Sequence, residues 1–375
     1  MIYLDNAATS FPRPEAVLAE MDRVNRTLSV NAGRGSYKAA REAADIISQT
    51  RQRLAELFKC QGKADIVLTP SVTYAFNQIL DGLEIDESTV IFTSIYEHNA
   101  VARTLERIRK QKGCQIEFLP VDPTSLKIDL EKTRFQFASK RPDIIILSLV
   151  SNVTGYVLPA AQVFSLGKEF DAITIADAAQ AAGLIDIQYD KLKADIICFA
   201  GHKTLCGPFG VGGFALNKDL KLNKFLTGGT GSNSLNVEMP GEGPERYEAG
   251  SKDIVAIAGL NAALKVLNRV KHEERVRGLT DYLLDSLINN PKVNVLSDKE
   301  GIGIISFTMD GYDSNDVGII LDEEYDIAVR TGYHCAPYIH QYLGDIPFNG
   351  TIRVGIGPYN TVDDINALLD AIISL

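Results

Sequence analysis

Nothing in the 375 residues approaches the ~18 consecutive apolar positions of a membrane-spanning helix, so no membrane partner is expected. Basic charge is also scarce: 38 Lys and Arg stand against 48 Asp and Glu, a formal charge of −10, and no basic stripe follows any helical pattern. That balance argues against a nucleic-acid partner. The runs RIRKQK at 107–112 and RVKHEERVR at 269–277 read as solvated helix faces. The opening MIYLDNAATS has no basic segment followed by an apolar stretch, so no secretory signal is read. Five cysteines, an odd number without regular spacing, offer no disulfide framework and point to a reducing, cytoplasmic setting.

A 45% apolar content and a mean hydropathy near zero describe a globular chain long enough for two cores. Short β-branched runs at 66–68, 89–93, 116–119, 143–149, 172–176, 196–199 and 214–216 alternate with helical patterns at 39–58, 74–83, 100–112 and 161–170. This βα alternation predicts an α/β fold with a mainly parallel sheet covered on both faces. From residue 254 the pattern changes. A helix to about 270, a second to 288, strands at 293–296, 303–309, 327–330 and 351–355, and helices at 314–325 and from 361 predict a smaller α+β domain of two or three strands. The expected division is 14–254 for a large domain, with 1–13 and 255–375 forming the small one.

Three of the apolar runs end in polar groups: Ser151-Asn152, Asp177-Ala178-Ala179-Gln180 and Gly201-His202-Lys203. Open α/β sheets place ligands at the carboxyl edge of their strands. A lysine there, partly withdrawn from water, loses its proton readily enough to form a Schiff base with an aldehyde; taken alone it reads equally as a solvated loop lysine. With an aspartate, an asparagine, a glutamine and a histidine at the same edge, the set matches the needs of pyridoxal 5′-phosphate (PLP). The lysine takes the aldehyde and the aspartate keeps the pyridine nitrogen protonated.

Further positions carry two readings each. The strand at 66–68 runs through Thr69-Pro70-Ser71-Val72-Thr73 into a helix, which makes an anion site for the cofactor phosphate at Val72 and Thr73, or an ordinary helix cap. His98, after the strand at 89–93, suits ring stacking and proton movement, or is structural. The break Asn31-Ala-Gly-Arg34-Gly-Ser36 is an active-site loop or glycine punctuation, and Ser251 after Gly250 is turn chemistry or a contact. Arg353 within a strand demands a carboxylate, belonging either to a substrate or to a structural pair. Cys335, in Arg330-Thr-Gly-Tyr-His334-Cys335, lies in a loop, whereas Cys198 is in a strand, Cys60 and Cys114 are near surface turns, and Cys206 in the lysine loop is its nearest rival. A zinc site from His334, Cys335 and His340 has no common spacing and lacks a fourth ligand.

The order Glu97-His98, Asn152, Asp177-Ala-Ala-Gln180, Gly201-His202-Lys203 resembles the class V aminotransferase family of fold-type I PLP enzymes. Within it the chain is most similar to the cysteine desulfurase and selenocysteine lyase branch. The likeness runs from Tyr3-Leu-Asp-Asn-Ala-Ala8 to Arg353. It implies a seven-stranded large domain, PLP on Lys203, and a homodimer in which Ser251 serves the neighbour's phosphate. It places Asn152, Arg353, Asn31 and Arg34 near the substrate, gives Cys335 the persulfide, and puts Val72, Thr73, His98, Asp177, Gln180 and His202 around the cofactor. The implied reaction takes L-cysteine to alanine, and a thiol or sulfur-acceptor protein then collects the sulfur. Selenocysteine as substrate, another class V aminotransferase or β-lyase, and a non-catalytic PLP-binding regulator are the alternatives. Two positions depart from the family: Pro70-Ser71-Val72-Thr73-Tyr74 replaces Ser-Gly-[Thr or Ala]-Thr-Glu, and Ala200 replaces a hydroxyl residue two before His202.

Overall fold

The computed structural model describes residues 1–32, 35–230 and 235–375. A two-residue strand, β1 (Ile2–Tyr3), opens the chain. Seven segments then build the large sheet: β2 (Ala64–Thr69), β3 (Val90–Thr93), β4 (Gln115–Phe118), β5 (Ile144–Ser148), β6 (Ile173–Asp177), β7 (Ile196–Ala200) and β8 (Gly212–Asn217). Their order is β2-β8-β7-β6-β5-β3-β4. Pairing is parallel from β7 to β4, and β8 runs antiparallel to both neighbours.

The inner strands are apolar nearly throughout because both faces are covered. Along β7, Ile197 and Phe199 enter one core with Phe58, Ile47 and Phe164, while Ile196 and Cys198 enter the other with Phe76, Ile79 and Leu105. The helices Val72–Gly82 and Asn99–Lys112 cover this second face, and Lys38–Leu57 and Ala160–Lys168 the first. A helix at Leu130–Ser139 escaped the sequence reading. Asp129 caps it, but only Thr133 and Phe137 are buried and Phe135 is 67% exposed, so its apolar period is faint.

The second sheet joins β9 (Val293–Val295), β10 (Ile304–Met309), β12 (Arg330–Gly332) and β13 (Thr351–Gly355) in the antiparallel order β12-β13-β10-β9. It has four strands, where two or three were expected. The single strand expected at 327–330 is split: β11 (Ile327–Ala328) pairs with β1, and β12 pairs with β13. The helix expected to reach 270 stops at Val266, because the Asn268 side chain accepts from Lys271 N and starts Arg269–Ile288 afresh. Cys60 and Cys114, expected near surface turns, are buried at 0% and 3% exposure. Among the described residues no helix is long and apolar enough to cross a membrane.

The amino-terminal arm was expected to dock on the second sheet, but it bridges both. Gly355 N donates to Leu4 O at 2.6 Å, while Ser10 N donates to His202 O at 2.9 Å and Gln180 Nε2 to Ala7 O at 2.8 Å. The approach to β13 needs glycine: a Cβ on Gly355 would sit 2.6 Å from Ala7 N.

Phe199 is fully buried and packs on Phe58 with ring centroids 5.8 Å apart. Phe199→Ala is expected to cost about 3–5 kcal/mol, read as a lower urea midpoint at fixed protein concentration. Phe135→Ala, on the exposed face, should stay within about 0.5 kcal/mol of the parent.

Candidate active site

Parallel register brings the ends of β5, β6 and β7 side by side, with Ser148 opposite Asp177 and Asp177 opposite Cys198. Asp177 is buried, and its Oδ1 accepts from Ala179 N at 2.9 Å. Burial raises its carboxyl above the usual range, opposed by that N–H and by the Lys203 charge. Lys203 follows β7 by three residues. Burial pushes its ammonium down to about 8, against the pull of Asp177.

A cavity of about 300 Å³ empty volume lies at this edge, lined by Val72, His98, Asn152, Asp177, Gln180 and Lys203 among others. Six residues singled out in the sequence thus meet around one space. His98 caps the helix Asn99–Lys112, its Nδ1 accepting from Ala100 N at 3.0 Å, so the neutral ring carries its proton on Nε2. Burial, then the Lys203 charge, pulls its pKa to about 3. Asn152 Nδ2 donates to His334 O at 2.7 Å, and its Oδ1 is buried with no partner among the described residues.

Glu97 lies beneath this edge, fully buried. It accepts from Ser94 Oγ at 2.5 Å, Ser148 Oγ at 2.8 Å and Ser148 N at 3.0 Å. Burial still lifts its carboxyl to about 7. It appeared in the sequence only as the neighbour of His98; a charged residue four positions past an apolar strand, after Ile95 and Tyr96, was the available signal.

Arg353 on β13 is 1% exposed. Its Nη1 donates to Asn152 O at 2.9 Å and its Nη2 to Asp5 Oδ1 at 2.7 Å, while Nε has no partner among the described residues. Asp5 was missed as a site residue; its signal was an acid inside Tyr3-Leu4-Asp5-Asn6, between apolar and polar positions. Directly across the antiparallel pair from Arg353 stands Arg330, whose Nη2 donates to Cys335 Sγ at 3.5 Å. Two like charges opposite each other on paired strands are unfavourable without anions nearby.

Cys335 is the one exposed cysteine, and Cys60, Cys114, Cys198 and Cys206 are buried. Burial raises Cys60 and Cys206 to about 11 and holds Cys198 well above the usual thiol range. The loop is strained, since His334 and Cys335 are consecutive non-glycine residues at φ +45° and +57°. Cys335 O accepts from Asn99 N at 2.7 Å, beside cavity-lining His98, and His334 Nε2 meets Thr351 Oγ1 at 2.7 Å. His340 is engaged by Asp345 Oδ2 at 2.5 Å and Tyr333 O at 2.9 Å. Among the described residues no three His, Cys, Asp or Glu side chains gather as metal ligands.

Other singled-out residues do not line the cavity. Thr73 is exposed on the first turn of Val72–Gly82, which Ser71 caps by accepting from Tyr74 N at 3.2 Å. His202 stacks on Phe209, centroids 4.6 Å apart, and meets Thr9 Oγ1 at 3.2 Å. Ser251 accepts from Asn31 Nδ2 at 3.3 Å, both exposed. Arg34 lies outside the described residues.

A model of the family "Aminotransferase class-V" matches residues 2–368. A "Probable cysteine desulfurase" of Pyrococcus abyssi is 30% identical over 98% of this chain and 92% of its own length. The "Cysteine desulfurase" of Haloferax volcanii is 28% identical over 99% of this chain and 88% of its own. Among solved structures, the apo cysteine desulfurase from Thermococcus onnurineus NA1 superposes with a TM-score of 0.92 at 28% identity, covering 99% of this chain and 94% of that one. The cysteine desulfurase CsdA (S-sulfonic acid) from Escherichia coli gives 0.86 at 26% identity, covering 100% and 94%.

Two outcomes follow from the burial pattern. In the native protein 2,2′-dithiodipyridine should modify one thiol per chain, and none in Cys335→Ser. Because Glu97 is lifted from 4.5 to about 7, its contribution to stability is full below pH 4.5 and is lost as pH rises through about 7. Glu97→Gln should therefore flatten the fall in Tm between pH 5 and 8, and a parallel fall in both proteins would contradict this account.

Proposed function

The chain belongs to the aminotransferase class-V family, and from that premise we propose that it is a PLP-dependent cysteine desulfurase, converting L-cysteine to L-alanine with the sulfur held as a persulfide on Cys335. One observation carries the reading. A partly buried lysine of depressed pKa shares a cavity with a buried aspartate, and cavity-lining Asn152, together with Asn99 next to cavity-lining His98, holds the backbone of the loop bearing the one exposed cysteine.

The residues fit the cofactor. Lys203 offers an amine for its aldehyde, Asp177 an acceptor for a protonated pyridine nitrogen, and Asn152 Oδ1 a buried acceptor still without a partner. When bound, PLP supplies a sink for the electrons left at the substrate α-carbon. Val72 and Thr73, on the first turn of a helix of 11 residues, would face its phosphate, with His202 and Gln180 supporting the edge. We place residues 14–254 as the cofactor-binding domain and residues 1–13 with 255–375 as the domain carrying the cysteine loop. We further propose a homodimer in which Ser251 serves the neighbour's phosphate, with Asn31 and Arg34 as contacts on the substrate side.

Lys203, neutral in a substantial fraction near pH 8, takes the α-proton of the substrate. His98, neutral with its proton on Nε2, moves protons beside it. Arg353 and Asn152 receive the substrate carboxylate, Arg353 through the part of its fork not held by Asp5. The Cys335 thiolate attacks the substrate sulfur. An S–S bond forms as the C–S bond breaks, and the released carbon is protonated to give alanine.

The test is to incubate the PLP-loaded protein with L-cysteine, assay alanine, and look for 32 Da added to Cys335. Cys335→Ser should form almost no alanine from cysteine while keeping a borohydride-reducible PLP link to Lys203; wild-type turnover in that variant would remove Cys335 from the reaction. Arg353→Lys, which keeps the charge and loses the fork, should raise KM for cysteine about tenfold or more with the visible absorbance unchanged. Activity on selenocysteine alone would instead make the protein a selenocysteine lyase.

A further inference from the structure

A second space, open to solvent and of about 760 Å³ empty volume, adjoins Cys335 on the side of the helix Asn99–Lys112. Its walls include Arg103, Glu106, Tyr333, Tyr338 and Cys335 itself. The room it offers to water-sized molecules, about 400 Å³, falls within the range of small-molecule sites. Its charge is lopsided. Glu106 is already taken by Arg109 at 2.8 Å and Lys110 at 3.2 Å. Arg103 is exposed and makes no ion pair among the described residues. Arg330, beside Sγ, also has no carboxylate among them, and it faces Arg353 across the strand pair. The amino end of the helix Asn99–Lys112 abuts the loop through Asn99 N and Cys335 O, which adds a positive dipole end. Phe118 packs on Tyr338 with centroids 4.8 Å apart and stiffens the far wall.

We propose that this bowl seats the sulfur acceptor, and that the acceptor is a small thiol bearing a carboxylate. The proposal rests on the desulfurase reading for the persulfide and adds the chemical class of its recipient. Arg103 holds the carboxylate, Arg330 beside Sγ adds positive charge behind it, the tyrosine rings flank the carbon chain, and the acceptor sulfur lies over Cys335. The acceptor thiolate attacks the outer sulfur of the Cys335 persulfide. The bond between that sulfur and Sγ breaks with its electron pair passing to Sγ, and the acceptor leaves as a persulfide with no net oxidation. Arg103 is thus a specificity residue for sulfur delivery, acting on a side of Cys335 away from the cavity that holds Lys203.

The test separates this proposal from the reading beneath it. Cys335 is converted with 2,2′-dithiodipyridine to a neutral mixed disulfide, which is then displaced by mercaptoacetate, 2-mercaptoethanol or cysteamine while pyridine-2-thione release is followed. Compared with the same thiols reacting with the free reagent, the protein should favour mercaptoacetate over cysteamine by roughly fivefold or more at low salt, the effect of one or two guanidinium charges at close range. The preference should shrink with added salt, fall in Arg103→Gln and return in Arg103→Lys. A ratio equal to that of the free reagent, or one untouched by Arg103→Gln, overturns the proposal. In a second arm the persulfide formed from L-cysteine is discharged with the same three thiols, and the same order is expected. If cysteine adds no 32 Da, the desulfurase reading fails while the disulfide ratio still decides the bowl. If the persulfide forms but passes only to a protein and to none of the three thiols, the proposal falls and the reading stands.

Discussion

The ion pair between Asp5 and Arg353 holds three parts of the chain in one place. Arg353 is the largest fully buried side chain among the described residues, and a guanidinium at 1% exposure is tolerable only if its donors are met. One donor goes to Asp5 on the amino-terminal arm and another to Asn152 O after β5, while the residue itself belongs to β13 of the second sheet. Burial and the facing Arg330 both act to lower its pKa, and Asp5 acts to raise it. The arm also bonds to Gly355 on one side and to His202 on the other, so a single buried charge fixes how the two sheets meet beside Lys203.

The cavity's electrostatics follow from that closure. Removal from water penalises whichever form is charged, so it acts in opposite directions on acids and bases in one small region. Lys203 is driven toward the free amine and His98 is held neutral, while Asp177 and Glu97 are pushed toward the acid. A cationic ring placed against Asp177 would reverse that residue's shift, because the opposite charge would repay its desolvation. Without such a ring, the buried carboxylates weigh against the fold as pH rises.

Much of this was legible in the sequence because parallel strands convert order along the chain into position in space. Asn152, Asp177 and Lys203 each follow an apolar run, and parallel register alone suffices to bring them to one edge. What escaped depended on pairing across long separations. Asp5 is 348 residues from the guanidinium it holds, and the Arg330–Arg353 juxtaposition requires the register of β12 on β13. The split at Val329 was hidden because 327–330 is continuous in pattern while its two halves pair with different strands. Cys60 and Cys114 do sit beside turns, but their burial went unread for a related reason: being near a turn does not determine which way a small side chain points.

The strained loop is where the two halves of the chemistry meet. Left-handed backbone at His334 and Cys335 has a conformational cost, yet the turn is held by Asn152 Nδ2, Asn99 N and Thr351 Oγ1, which come from three separate elements. A loop secured at so many points does not need to swing far to present its thiol. Of these Asn152 lines the cavity itself and Asn99 follows cavity-lining His98, so two of the three holds on the loop lie at or next to the space that borders the lysine. Sγ, by contrast, lies against Arg330 and opens on the bowl at Arg103. A nucleophile set between an enclosed cavity and an open cationic surface can receive an atom from one and surrender it to the other without the two partners ever sharing a space.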